Sequence, residues 1–313
     1  MSDLIPASAQ RTTDSARSSN QKGFRFKSNE GLIALVFMLP ALLHFVIFKY
    51  YPVAYSFALS LHRGRLLDPF DRFLGAYHYL FLLKNDYFWQ GVLNAFVYTI
   101  IRVPLGAAIS LALALLLTQN YRGRLFFRVA WYVPVVISSV AQIQIFIWLY
   151  HSEYGVLNYF LELMGFSPLL WTEHPDTALL SLILLGLWGA TPFTMIIYMA
   201  ALSTIPSDYY ESAEMDGANA WHKFWKITLP LLMPTTFFVL ITQTILSLML
   251  FEPIYLMTGG GPVGSTTMPG YQIYEAAFEF NRWGRASAVA IVFFIIVAAF
   301  TIFQYKFTPE SYT

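Results

Sequence analysis

Cysteine is absent from all 313 residues, which excludes disulfides and thiolate chemistry and says nothing of the redox compartment. Charge is scarce as well. Asp, Glu, Lys and Arg make up 12% of the chain, about half of the roughly 25% that covers a soluble domain. With 57% hydrophobic residues and a mean hydropathy of +0.54, the composition is that of a membrane-embedded chain. The net charge of +1 offers no basic or acidic excess, so nothing points to nucleic acid. No G-x-x-x-x-G-K-[ST] occurs, so the chain has no P-loop for ATP phosphates. The histidines, His44, His62, His78, His151, His174 and His222, include no i, i+4 pair for a metal. Glu173, His174 and Asp176 read as solvated turn residues, and no nucleophile sits in a recognisable elbow. Catalytic and metal sites are therefore both expected to be absent. No internal repeat supports an inverted-repeat secondary transporter.

Long hydrophobic runs are what the chain does have. Segments able to cross about 30 Å of hydrocarbon fall near 31–61, 91–118, 126–150, 178–202, 229–257 and 286–306. The first is too long for a signal-peptide core and has no A-x-A site after it. Pro40, Pro52, Pro104, Pro134 and Pro192 lie inside these runs, where neighbouring helices can satisfy freed carbonyls. The expected fold is an all-α membrane protein of six transmembrane helices, spanning 30–307. Residues 1–29, rich in Ser, Thr, Gln and Asn, read as a disordered tail, and 308–313 as a second short tail. Lysine and arginine in the flanks, such as Arg122, Arg124, Arg128, Lys223 and Lys226, place both termini and the 203–226 loop in the cytoplasm.

Residues 211–230, "ESAEMDGANAWHKFWKITLP", break this apolar pattern. Ser207 reads as an N-cap after Pro206. Asp208, Glu211 and Glu214 then recur every three residues, one acidic face near a helix start. Gly217 permits a sharp bend. Beyond it Trp221, Phe224 and Trp225 follow i, i+3, i+4 spacing, an amphipathic turn suited to the bilayer interface. Pro230 sits in the first turn of the next span, where a missing N–H costs little. A re-entrant loop anchored by aromatics accounts for Trp221 to Lys226. It does not account for a compact acidic helix held apart by a glycine.

Glu211-Ser212-Ala213, three residues, Gly217, nine residues, Ile227, one residue, Leu229-Pro230 resembles the EAA motif of permease subunits in bacterial binding-protein-dependent ABC importers. Ser212 is the one departure, standing where alanine is usual. "NAFVYTIIRVPLG", "WYVPVVISSVA" and "YLMTGGGPVGSTT" are similar to the sugar-importer branch, which contains the maltose and glycerol-3-phosphate permeases. The resemblance covers about residues 30–307. It implies a permease of the bacterial inner membrane whose 207–226 element seats in a groove of an ABC ATPase dimer. Glu211, Ser212, Ala213, Asp216, Gly217, Ile227, Leu229 and Pro230 would form that coupling element. It further implies a homologous second permease subunit, an extracytoplasmic solute-binding protein, and ATP and Mg bound on the partner subunits rather than here.

Gly259, Gly261 and Gly264 satisfy G-x-G-x-x-G formally, yet a dinucleotide site needs a strand before, a helix after and an acid about 20 residues on. Here an apolar span precedes it and Pro262 interrupts it. A selectivity filter would need this loop to re-enter the membrane, whereas Thr266, Thr267 and Pro269 read as an extended polar linker. Gly259, Gly260, Gly261 and Pro262 are either a flexible outer turn or a contact or gating loop facing the binding protein.

Polar residues inside spans mark a pathway. Gln243 and Ser247 share one face of the fifth span. Trp188 and Phe193, with room left by Gly186 and Gly189, can supply surface for the C–H faces of a sugar. The alternatives are interhelical hydrogen bonds for the polar pair and lipid or core contacts for the rings. Arg102, in the second span, can attract an anionic sugar or phosphate. It can equally snorkel or pair structurally, as can Glu252 near the end of the fifth. The expected cargo is a carbohydrate, with glycerol-3-phosphate, an acidic oligosaccharide or a peptide as alternatives. A stand-alone ion-coupled transporter or channel would need mid-membrane acids or histidines that this sequence lacks.

Overall fold

The computed structural model describes residues 28–120 and 122–306. The tail expected at 1–29, save Ser28 and Asn29, and the tail at 308–313 lie outside the described residues. The chain divides between Ala54 and Tyr55 into two compact units. The first holds α1 (Ser28–Phe45), a π-helical turn at Val46–Tyr50 and the start of α2 (Tyr51–Ser60). Pro40 is accommodated inside α1.

The second unit is built on α4 (Asp86–Thr118), α8 (Pro175–Ser203), α11 (Leu229–Leu248) and α13 (Trp283–Lys306). Two of these have side-chain caps. The Asn85 side chain accepts from Phe88 N at 3.2 Å to open α4, and His174 Nδ1 accepts from Asp176 N at 3.3 Å ahead of Pro175 to open α8. Both satisfy N–H groups that a helix start leaves without partners. Their directions follow from paired contacts. Arg102 meets Gly186 and Ser110 meets Thr191, so α4 and α8 run parallel. Arg102 also meets Gln243 and Ser247, while Leu111 and Leu117 share a buried cluster with Leu232 and Val239, so α11 runs against them. Phe96 meets Phe300 at 5.2 Å, and Phe88 packs with Ala288 and Val289, placing α13 parallel to α4.

Shorter helices close the ends: α3 (Tyr77–Leu83), α7 (Val156–Leu163), α9 (Ser207–Met215), α10 (Ala220–Lys223) and α12 (Pro269–Tyr274). The run expected as one span at 126–150 is two helices, α5 (Arg124–Val136) and α6 (Ser139–Leu149), bent by 102°. Ile137 and Ser138 are extended. Gln142 Nε2 bridges the break, donating to Pro134 O at 2.6 Å and Ile137 O at 3.0 Å. The fifth apolar span begins at Ala220 and ends at Leu248 rather than running to 257. Met249 to Phe251 leave the helix and a π-helical turn follows at Ile254–Thr258.

Among the described residues five helices are long and apolar enough to cross a membrane, or six if the bent α5–α6 pair is one span. Many large apolar side chains, Phe126, Val136, Phe294 and Phe303 among them, face outward. An exposed apolar surface of this extent suits lipid or partner chains rather than water.

Candidate functional site

The α9–α10 segment lies between the end of α8 and the start of α11. α9 ends in a Schellman motif: Ala218 N donates to Ala213 O at 2.8 Å and Gly217 N to Glu214 O at 3.0 Å. Gly217 supplies the left-handed residue this motif requires, with φ +77. Asn219 then caps α10, its side chain accepting from His222 N at 2.9 Å. Ser207 does not cap α9. Pro206 holds the cap position and Ser207 is already helical, because proline's fixed φ suits the entry to the turn. Lys223 Nζ donates to Glu214 Oε1 at 2.6 Å, and the Tyr210 and Thr228 hydroxyls pair at 3.0 Å, fastening α9 to α10 and to the root of α11. Trp221, Phe224 and Trp225 form one aromatic cluster with centroids 5.3 to 6.4 Å apart. Glu211, Ser212, Asp216, Gly217 and Pro230 are exposed, Ala213, Ile227 and Leu229 half-buried. The segment thus offers one surface, while Phe224 and Leu229 root it in the buried cluster of α4, α8 and α11.

Arg102, Gln243 and Ser247 converge inside the bundle. Arg102 Nη1 donates to Gln243 Oε1 at 2.7 Å and to Ser247 Oγ at 2.9 Å. Its Nε and Nη2 approach Gly186 O at 3.4 and 3.3 Å. Gly186 has no room for a side chain, since a Cβ there would lie 2.2 Å from the Tyr98 hydroxyl. Tyr98, Arg102, Gln243 and Ser247, with Phe193, border a cavity of about 240 Å³. Trp188 is elsewhere, packed on Phe146 at 5.4 Å in the α6–α8 cluster. Glu252 is exposed beyond the end of α11. Of the groups here only Tyr98 carried no signal in the sequence, because an apolar-run tyrosine looks the same whether it faces lipid or a cavity.

The glycine loop lies past the opposite end of α11. A flexible turn running into a polar linker is not what forms. Thr266, Thr267 and Met268 are completely buried, and Pro269 begins α12. Thr266 Oγ1 donates to Gly261 O at 2.7 Å, and Asn94 Nδ2 reaches Gly264 O and Thr267 O, each at 3.0 Å. Gly260 has φ +79 and a Cβ would meet the Tyr271 ring at 2.8 Å. Nearby Tyr87 donates to Glu275 Oε2 at 3.0 Å, and burial pushes the Glu275 carboxyl above the usual range.

Residues 103–310 match the family described as "Binding-protein-dependent transport system inner membrane component". The chain belongs to that family. Among its relatives, the trehalose/maltose transport system permease protein MalF of Thermococcus litoralis is 32% identical over 282 residues, covering 90% of this chain and 95% of that one. The sulfoquinovosyl glycerol transport system permease protein SmoG of Agrobacterium fabrum is 34% identical over 274 residues, 85% of this chain and 86% of that one. The solved structure of a bacterial ABC transporter involved in import of the acidic polysaccharide alginate superposes with a TM-score of 0.79 at 23% identity, over 91% of this chain and 98% of that one, and shows the shared fold. This transport component is a multi-pass protein of the inner membrane, and its fold is that of an ABC importer permease.

Proposed function

We propose that this chain is one of two homologous permease subunits in an ATP-driven importer and that its cargo is a carbohydrate. The observation that carries the reading is the α9–α10 segment: the EAA-like residues form a capped, exposed helix pair joined to the very helix, α11, that brings Gln243 and Ser247 to the cavity. One helix of 20 residues, about 30 Å long, spans from the docking surface to the polar cluster. The carbohydrate assignment is supported by the cargoes named for the maltose and sulfoquinovosyl glycerol permeases.

In this reading six spans cross the membrane with both termini in the cytoplasm, the α5–α6 pair counting as one broken span. Glu211, Ser212, Ala213, Asp216 and Gly217 meet an ATPase dimer, which holds the ATP and Mg. Closure of that dimer displaces α9 and α10, and the bundle alternates between inward- and outward-facing states. The loop at Gly259–Pro262 faces the solute-binding protein. Its built-in rigidity suits a template better than a mobile gate. This chain guides the solute and catalyses no covalent step.

Co-expression with partner subunits tests the assignment. Glu211→Lys or Gly217→Pro should insert into the membrane yet lose co-purifying ATPase and solute-stimulated hydrolysis. Retention of a fully coupled ATPase by both variants would reduce 207–230 to an interfacial loop.

A further inference from the structure

Arg102 is 7% exposed near the middle of α4, and a guanidinium stays protonated at any physiological pH. Each of its partners is neutral: the Gln243 amide, the Ser247 hydroxyl and the Gly186 carbonyl. These occupy four of the five N–H directions and supply dipoles, not a countercharge. Ion pairs among the described residues join Arg63 to Asp71, His174 to Asp176 and Lys223 to Glu214, none of them near this cluster. The flanking helices cannot provide one. The only acid in α4 is Asp86, in α8 Asp176, and α11 has none. Asp86 stands about 24 Å away along the helix axis at 1.5 Å per residue. A buried cation without a counterion is costly, and within a membrane such a group is a functional marker by default.

The cavity beside it completes the picture. Its wall presents the guanidinium edge, an amide, a hydroxyl and the rings of Tyr98 and Phe193. The one N–H direction that remains, on Nη2, can give a carboxylate, sulfonate or phosphate a charge-assisted hydrogen bond. The amide and hydroxyl match sugar hydroxyls, and the rings match the C–H faces of a pyranose. A neutral sugar would use every one of these groups except the charge.

We infer that the carbohydrate passed by this chain carries an anionic group, and that Arg102 is the residue that receives it. The inference rests on the carbohydrate-importer reading above. Two rivals make different predictions. If Arg102 only clamps α4 to α8 and α11, its charge is immaterial to cargo. If a carboxylate of the second permease subunit neutralises it, cargo charge is equally immaterial.

The test uses the whole importer, with its second permease subunit, ATPases and binding protein, in proteoliposomes. Uptake of a galacturonate trisaccharide is compared with that of maltotriose. Wild type should take up the acidic probe and leave the neutral one. Arg102→Gln should lower acidic uptake by about 100-fold, the scale on which a buried charged partner is lost, while Arg102→Lys keeps part of it because the charge remains but the N–H groups that hold it on Gln243, Ser247 and Gly186 are only partly replaced. Co-purification of the ATPase confirms that each variant assembles. Should Arg102→Gln fail to assemble, the wild-type probe ratio and the lysine variant decide. Uptake of maltotriose in preference to the acidic probe, or unchanged acidic uptake by Arg102→Gln, overturns the inference and leaves the carbohydrate reading standing. Uptake of neither sugar, with import of a peptide instead, brings down both.

Discussion

Both ends of the α11 bundle turn on glycines with positive φ, and the two are built to opposite ends. At the α9–α10 end a Cβ on Gly217 would meet nothing within 4 Å. Asp216 and Asn219 beside it are exposed, and a few side-chain bonds hold the segment. At the other end Gly260 faces the Tyr271 ring, three consecutive residues are wholly buried, and Asn94 anchors two carbonyls. Glycine at the first place serves only the backbone turn; at the second it also clears space. The first end leaves its surface open, whereas the second is packed into a defined shape.

Gly260→Ala should break the contrast most severely. Left-handed strain and collision with Tyr271 together cost about 3 kcal/mol, read as a lowered Tm of the purified protein in detergent. A Tm within error of wild type would mean that the loop yields and is no template. Gly217→Ala should cost only about 1 kcal/mol, the left-handed penalty alone, with little change in Tm but weaker ATPase co-purification. Equal losses from the two alanine variants would erase the distinction drawn here. The smallest effect concerns pH. His78, buried beside the start of α13 with Nε2 bonded to His62 O at 3.1 Å, has its pKa lowered below 6.5: burial lowers it most, the bond to His62 O opposes this in part, and Arg285 lowers it further. The unfolded chain therefore takes up a proton there before the folded one does. Stability should be full above about pH 6.5 and decline as pH falls below it. His78→Gln should flatten that decline in Tm measured across pH 5 to 8. A rise in stability on acidification would reverse the sign.

Features carried by local spacing were readable from the sequence. The order from Glu211 to Pro230 alone indicates a helix, a glycine break and a second amphipathic turn, since each depends on residues within one or two turns. The apolar runs likewise locate the long helices. What depends on neighbours distant in the chain was not readable. Gln243 and Ser247 could be placed on one face, but that Arg102 from α4 meets both is a fact of helix packing. Trp188 and Phe193 lie on one helix with similar credentials, and only the position of α6 decides that the first is packed away on Phe146. On sequence alone Pro134 lies inside one continuous 126–150 span, and a proline by itself does not say whether a helix bends or breaks. The 102° bend is completed by Gln142 reaching back to two carbonyls.

The notch at Gly186 also constrains how this protein could have changed over generations. The atom a Cβ at Gly186 would strike is the Tyr98 hydroxyl, with the ring carbon behind it at 3.2 Å. Tyr98→Phe removes the nearer obstacle and leaves a Cβ at position 186 only the tight contact with the ring carbon, whereas Gly186→Ala beside the intact tyrosine overlaps its oxygen. The pair can therefore be exchanged in one order and hardly in the other. A side chain at position 186 is admitted more easily where position 98 has already lost its hydroxyl, so packing couples the two positions.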